Sequence, residues 1–209
     1  MIERVLILSP HTDDGEVSVG GTISRFVHEG KQVFYAAFSS CEKSVPDGFP
    51  PEILRNECYQ ATGKLNISKR NVIIFDYEVR NFPEVRQKIL NNMIALRADI
   101  RPDLVICPSS FDIHQDHHVI YTESVIAFKR TATIWGMEHP WNNASFRTDI
   151  LVELSDEYLD NKISAIKEYK SQSARDYFNE DYLRSCASTR GMSAGVRYAE
   201  AFECIRMMM

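Results

Sequence analysis

Short apolar runs alternate with helical patterns along this chain, and that alternation restricts its fold more than any other feature. RVLILS (4–9), QVFYAAF (32–38), NVIIF (71–75) and DLVIC (103–107) have the length and β-branched content of strands. The segments between them read as helices. Residues 20–29 form a short one that Gly30 closes in the C-cap position, and Pro51 begins another that reaches about Leu65. Pro83 opens a long helix in which Val85, Ile89, Met93 and Leu96 share one buried face, and Pro102 ends it. A fourth helix covers 116–129, and 132–136 and 149–154 read as further strands. Ser155 suits the N-cap of a helix over 156–170, with two acids in its first turn. The polar stretch 171–197 reads as loops and short helix, and 198–207 as strand or helix. Repeated strand–helix–strand units imply an α/β fold, a Rossmann-like three-layer sandwich with a mostly parallel sheet and helices on both faces. No repeat or linker interrupts the pattern, so 1–209 reads as a single domain.

Composition removes several function classes. A net charge of −5 argues against a protein that coats nucleic acid through its phosphates. Five cysteines, widely spaced and without a CxxC pair, argue against a Cys-rich zinc site and for reduced thiols. The start, MIERVLILSPH, is too short in apolar residues for a signal-peptide core. No stretch approaches the roughly 20 apolar residues of a membrane helix. The expectation is a cytoplasmic protein without an integral membrane segment.

In parallel sheets ligands bind beyond the carboxyl ends of the strands, which directs attention to the loops after the first and fourth strands. The first holds His11-Thr12-Asp13-Asp14-Gly15-Glu16, one imidazole and three carboxylates in six residues. GxGxxG is absent and three acids repel a pyrophosphate, so this is no dinucleotide site. An imidazole and a carboxylate three residues apart can reach one Zn²⁺ from a tight loop, and the second aspartate is then free to act as a base. The second loop holds His114-Gln115-Asp116-His117-His118 at a helix start, with His114 and His117 three apart. Alone, each cluster also reads as solvated polar residues at a helix start. Together, at the mouths of two predicted parallel strands, they point to a catalytic metal site with three protein ligands and an open position.

PHTDDGEVSVGGT together with HQDH resembles the PIG-L/LmbE-like deacetylases, metal-dependent amidases that act on N-acetylglucosamine-type sugars. The family's first motif is usually HPDDE followed by GGT; here Thr12 replaces the proline and Glu16 comes one place later. RNECYQATGKLNI (55–67), ARDYFNEDYLRS and RYAEAF extend the resemblance over most of the chain. It implies that His11, Asp14 and His117 hold the metal and that Asp13 is the general base. It further implies that a protonated His114 stabilises the oxyanion or serves as acid, that Asp116 orients His114, and that Arg55 contacts the substrate. The implied cofactor is Zn²⁺, with Fe²⁺ or another divalent ion compatible with the same donors. The implied reaction releases acetate and a free amine from an N-acetylated sugar or sugar conjugate; a homo-oligomer is compatible with the sequence.

Other candidates are weaker. Glu16 suits a loop-holding role, His118 and Glu200 structural ones, and His28 the last turn of a helix. The segment Glu138-His139-Pro140-Trp141 suits a pocket rim, where an aromatic ring stacks on a sugar. Two rival functions share the donor set: a sugar-binding module that lost its chemistry, and a non-haem Fe(II) enzyme with a two-His, one-carboxylate triad. The first predicts a missing base or ligand, and none is missing. The second belongs on all-β barrels, against the alternation found here.

Overall fold

A computed structural model describes residues 2–208. Seven strands form one sheet: β1 (Arg4–Ser9), β2 (Gln32–Ala37), β3 (Val72–Ile74), β4 (Leu104–Pro108), β5 (Thr133–Met137), β6 (Ile150–Leu154) and β7 (Tyr198–Arg206). Their order is β3-β2-β1-β4-β5-β7-β6. The first five are parallel, and β7 runs antiparallel to both β5 and β6. Among the described residues there are six α-helices: α1 (Asp14–His28), α2 (Ile53–Lys64), α3 (Phe82–Ile100), α4 (Gln115–Phe128), α5 (Asp156–Ile166) and α6 (Glu180–Ala194).

The strands alternate between two apolar layers, as a sheet covered on both faces requires. Val5 and Ile7 of β1 pack with Ile23 of α1, Leu54 and Ala61 of α2 and Ala165 of α5. Leu6 and Leu8 face the other way, onto Ile89 and Met93 of α3 and Ile120 and Phe128 of α4. The three-layer α/β architecture expected from the alternation is therefore present. The chain leaves β1 toward β2 on one side and returns at β4 on the other. The carboxyl ends of β1 and β4 thus flank a topological switch point, where a crevice must open.

The predicted β1 matches the observed strand residue for residue, and α5 begins where Ser155 accepts the Tyr158 N–H at 3.2 Å. Two expectations change. The first helix starts at Asp14, not at Gly20, because the turn 14–18 joins the helix through a kink at Val19 (φ −132°, ψ 20°). The stretch 171–197, read as loops and short helix, contains the 15-residue α6, capped by Asn179, which accepts the Asp181 and Tyr182 N–H groups. Of its residues only Leu183, Ala187 and Gly191 are buried, a stripe too narrow to show as amphipathic periodicity. The five cysteines are unpaired. Among the described residues no helix is long and apolar enough to cross a membrane.

One buried ion pair fixes α1 against the antiparallel end of the sheet. Glu200 on β7 accepts from Lys162 Nζ of α5 at 2.6 Å and from the Gly21 and Thr22 N–H groups at 3.1 and 2.7 Å. Gly21 permits that approach, since a Cβ there would stand 2.5 Å from Leu154 Cδ1. Glu200 is thus structural. Replacing it by alanine strands a buried ammonium, so Glu200→Ala should cost about 3–5 kcal/mol of stability in urea unfolding. A loss near zero would show that water takes over the pairing.

Candidate metal centre

The HTDDGE segment is shaped by hydrogen bonds around the end of β1. Ser9 Oγ donates to His11 O at 2.6 Å and accepts from Gly15 N–H at 2.9 Å, which folds the chain back into the first turn of α1. Gly15 is required there, because a Cβ would lie 2.6 Å from the Tyr35 ring. Glu16 is fully buried between the Tyr35 and Tyr169 hydroxyls, the latter at 2.9 Å from its carboxyl. Burial pushes its carboxyl up to about 8 despite those hydrogen bonds. Tyr169 also bonds Thr12 O, so Glu16 holds the motif loop and is not turned toward the cavity.

Three donor atoms from two loops meet at the switch point. His11 Nδ1 lies 2.9 Å from Asp14 Oδ2, His117 Nε2 lies 3.2 Å from the same oxygen, and the two nitrogens are 3.4 Å apart. A tetrahedral ion with bonds of about 2.0–2.1 Å spaces its donors by roughly 3.3 Å, so this triangle fits such an ion. The far ring nitrogens are also committed. His11 Nε2 stands 3.1 Å from Asp116 Oδ2, and His117 Nδ1 stands 2.7 Å from Asp112 Oδ2. Each carboxylate fixes its imidazole with a hydrogen on the outer nitrogen and a lone pair on the inner one, the tautomer that ligation needs.

The other expected residues surround this triangle. Asp13 is buried at the N-cap of α1, and its carboxylate accepts no hydrogen bond from another described residue. Burial and the Asp14 charge raise it, while Arg175 and His11 oppose them. Asp14 is held well below the usual range: burial works against it, but the charges of His117 and His11 win. Asp116 departs from expectation. Its carboxylate serves His11 and the Arg80 and Phe82 N–H groups, and it is its backbone N–H that reaches His114 Nδ1, at 3.2 Å. His114 departs too. Burial and the neighbouring charges of His117 and His11 press it down to about 4, so it is neutral at pH 7. With Nδ1 accepting the Asp116 N–H, its hydrogen resides on Nε2. Arg55 is not among the residues that line the cavity. It donates to Ile74 O and pairs with Asp76, one layer outside the wall formed by Leu54.

The cavity above the triangle has a volume of about 210 Å³. His11, Asp13, Asp14, His114 and His117 form its floor. Its wall includes Arg80, Arg175 and a stacked pair, Trp141 on Tyr177, with centroids 4.2 Å apart and planes 9° from parallel. Arg175 is aligned by the Tyr177 hydroxyl at 2.6 Å and by Gln172. The sequence reading missed Asp112, Arg80, Gln172, Arg175 and Tyr177, and gave His139 no separate role. Asp112 and His139 were within reach of it, since both sit in loops that follow parallel strands.

A family model described as GlcNAc-PI de-N-acetylase, PIG-L, matches residues 6–128, more than half the chain. The diacetylchitobiose deacetylase of Thermococcus kodakarensis is 26% identical over 233 residues, covering 98% of this chain and 84% of that protein. Among solved structures, the N,N'-diacetylchitobiose deacetylase of Pyrococcus horikoshii superposes with a TM-score of 0.81 at 23% identity, covering 97% of this chain and 83% of that one. The 4-carboxy-2-hydroxymuconate hydratase GalB of Pseudomonas putida also gives 0.81, at 17% identity, covering 100% and 98%.

Without an ion, the centre carries protons where the donors would bind. Burial lowers the basicity of His11 and His117, but Asp14 and their carboxylate partners outweigh it, raising them to about 10 and about 9. Both are protonated at pH 7 and must lose that proton to ligate. Zn²⁺ added to chelator-stripped protein at pH 7 should therefore release about two protons per ion, and affinity should fall roughly 100-fold per unit of pH lowered. Calorimetry in buffers of different ionisation enthalpy measures the release; a value near zero would show that the imidazoles are already neutral.

Proposed function

The chain belongs to the PIG-L family, and we propose that it is a metal-dependent N-deacetylase of an N-acetylglucosamine-type sugar or sugar conjugate. Water cleaves the amide, giving acetate and the free amine. The observation that carries this reading is the meeting of His11 Nδ1, Asp14 Oδ2 and His117 Nε2 within 3.4 Å, directly below a buried aspartate without a protein partner. The deacetylases among its relatives support the reaction class.

In this reading His11, Asp14 and His117 hold a divalent ion, with Zn²⁺ the first candidate. Such an ion polarises an amide carbonyl and acidifies water. Asp13 takes the proton of the attacking water and returns it to the leaving amine. Its burial and the Asp14 charge raise its basicity toward that task, while the Arg175 charge opposes the rise. His114 Nε2–H faces the cavity and donates to the oxygen that gains charge as the carbonyl becomes tetrahedral. A neutral imidazole suits this role, because a second cation beside the ion would cost more than the hydrogen bond gives. Asp116 positions His11 through its carboxylate and His114 through its backbone. The Trp141–Tyr177 face receives the apolar face of a sugar ring, and Arg175 and Arg80 on the same cavity wall serve its polar groups.

Release of primary amine from N-acetylglucosamine and a panel of its conjugates, with metal content measured on the same protein, tests the reading. Bound metal with amine release supports it; a chain that takes up metal but acts on none of the N-acetylated sugars argues against the reaction. Asp13→Ala should keep its metal and lose about 10²–10⁴-fold in kcat. His114→Ala should keep its metal and lose about 10²–10³-fold in kcat. His117→Ala should lose the metal itself, and a full complement there would remove His117 from the ligand set.

A further inference from the structure

Arg80 lies in the loop between β3 and α3 and lines the cavity over the metal centre. Its backbone is pinned there. The Arg80 N–H donates to Asp116 Oδ2 at 2.6 Å, and the Arg80 carbonyl accepts from Gln115 Nε2 at 2.6 Å. The pinned conformation is left-handed, with φ at 67°. Glycine takes that conformation freely, whereas a side chain is strained in it. The backbone bonds alone would thus favour glycine, and the arginine side chain calls for a role of its own. Among the described residues its guanidinium has no hydrogen-bond or ion-pair partner. The two acids just before it are already taken: Asp76 pairs with Arg55, and Glu78 with Lys43.

Arg175 brings a second guanidinium to the same cavity. Its Nε donates to Gln172 Oε1 and its Nη1 to the Tyr177 hydroxyl. Both partners are neutral, so they fix the fork without cancelling its charge. Among the described residues that line the cavity, the only carboxylates are Asp13 and Asp14, and both belong to the floor. Asp112 and Asp116 stand behind the imidazoles and do not line it. The wall therefore presents two guanidinium groups and no acid. A guanidinium only donates, and its planar fork matches the paired oxygens of a carboxylate or phosphate. A cavity of about 210 Å³ is small enough for one ligand to touch both arginines.

Resting on the reading of the chain as an N-deacetylase, we propose that its substrate is an acidic conjugate. The N-acetylated sugar carries a carboxylate or phosphate group, whose oxygens Arg80 and Arg175 bind while the acetamido group lies over the floor. The two arginines then set substrate choice, and the strained backbone at Arg80 is retained for the charge it delivers to the wall.

The test compares kcat/KM for three forms of N-acetylglucosamine: the carboxymethyl glycoside, its neutral carbamoylmethyl counterpart and the 1-phosphate. At least one acid should exceed the neutral amide by roughly 10–100-fold, the range that one or two charge-assisted hydrogen bonds supply. Which acid leads identifies the anion. Arg80→Gly relieves the left-handed strain and so should fold; it should cut the preference about tenfold or more, as should Arg175→Gln. Arg80→Lys keeps the charge without the fork and should recover only part of the preference. The acid-to-amide ratio cancels any effect of Arg175 on Asp13, whose charge it also meets. Equal kcat/KM for acids and amide, or a preference that survives in both Arg80→Gly and Arg175→Gln, overturns the proposal. If none of the three is deacetylated, the deacetylase reading itself fails, and binding of the same compounds, followed by tryptophan fluorescence on the protein as purified, decides the anion site separately. Acids bound more tightly than the amide, through both arginines, uphold that site; equal binding overturns it.

Discussion

The centre is governed by the cost of burying several negative charges at one point. Asp13, Asp14, Asp112 and Asp116 are all buried within the crevice at the end of β1 and β4, with Glu16 beneath them. In a medium of low polarity such a cluster is stable only if each carboxylate is paired, hydrogen-bonded or protonated. The structure uses all three means. Asp14 and Asp116 lean on His11, and Asp112 leans on His117. Asp116 also collects two backbone N–H groups. Glu16, which has only tyrosine hydroxyls, is pushed toward the neutral acid. Of these carboxylates only that of Asp13 accepts no hydrogen bond from another described residue. That residual imbalance gives it the free lone pairs and raised basicity a proton acceptor needs, and it makes a divalent cation welcome beside it.

How far the sequence told this story depends on the kind of signal. Strand β1 was plain because both layers of the sheet cover it, which makes Val5–Leu8 an unbroken apolar run. Helix α6 was hidden because it docks through Leu183, Ala187 and Gly191 alone, and the rest of its surface is polar. The segment 198–207 stayed ambiguous because β7 inserts between β5 and β6 in the antiparallel sense, a pairing no local pattern announces. At the site, His11, Asp13, Asp14, His114 and His117 were legible because two compact clusters fell after parallel strands. The division of labour was less so. Asp116 sits two residues from His114, yet its carboxylate turns to His11, more than a hundred residues earlier in the chain. Only the crossing of two loops fixes that choice. Asp112 stands two residues before the His114–His118 cluster and His139 beside Glu138, so each was overshadowed by a neighbour that drew the stronger reading.

The fold leaves the reaction open. A hydratase shares the architecture as fully as a deacetylase does, with equal TM-scores. A switch-point crevice offers loops on which many chemistries can be built, so function has to be argued from the side chains placed there. What favours hydrolysis of an amide is the conjunction of a three-donor triangle, a buried carboxylate that accepts no hydrogen bond from another described residue, and an imidazole lining the same cavity.

The chain also divides at the point where the family match ends. All the residues assigned here to metal holding and proton transfer lie within 6–128. The aromatic wall and its arginine, Trp141, Gln172, Arg175 and Tyr177, lie beyond it, in the loop after β5 and the segment between α5 and α6. Physical demands on the two halves differ. Donor atoms must meet within a few tenths of an ångström, which fixes residue types and spacings tightly. A wall that receives a sugar ring needs only a flat face, a few polar groups and the right depth, which many sequences supply. His139 stands on the boundary between the two. It lies outside the matched segment, yet its ring reaches down to Asp14 while its neighbour Trp141 faces the cavity. The loop after β5 thus sets His139 beside His117 and Trp141 on the cavity wall.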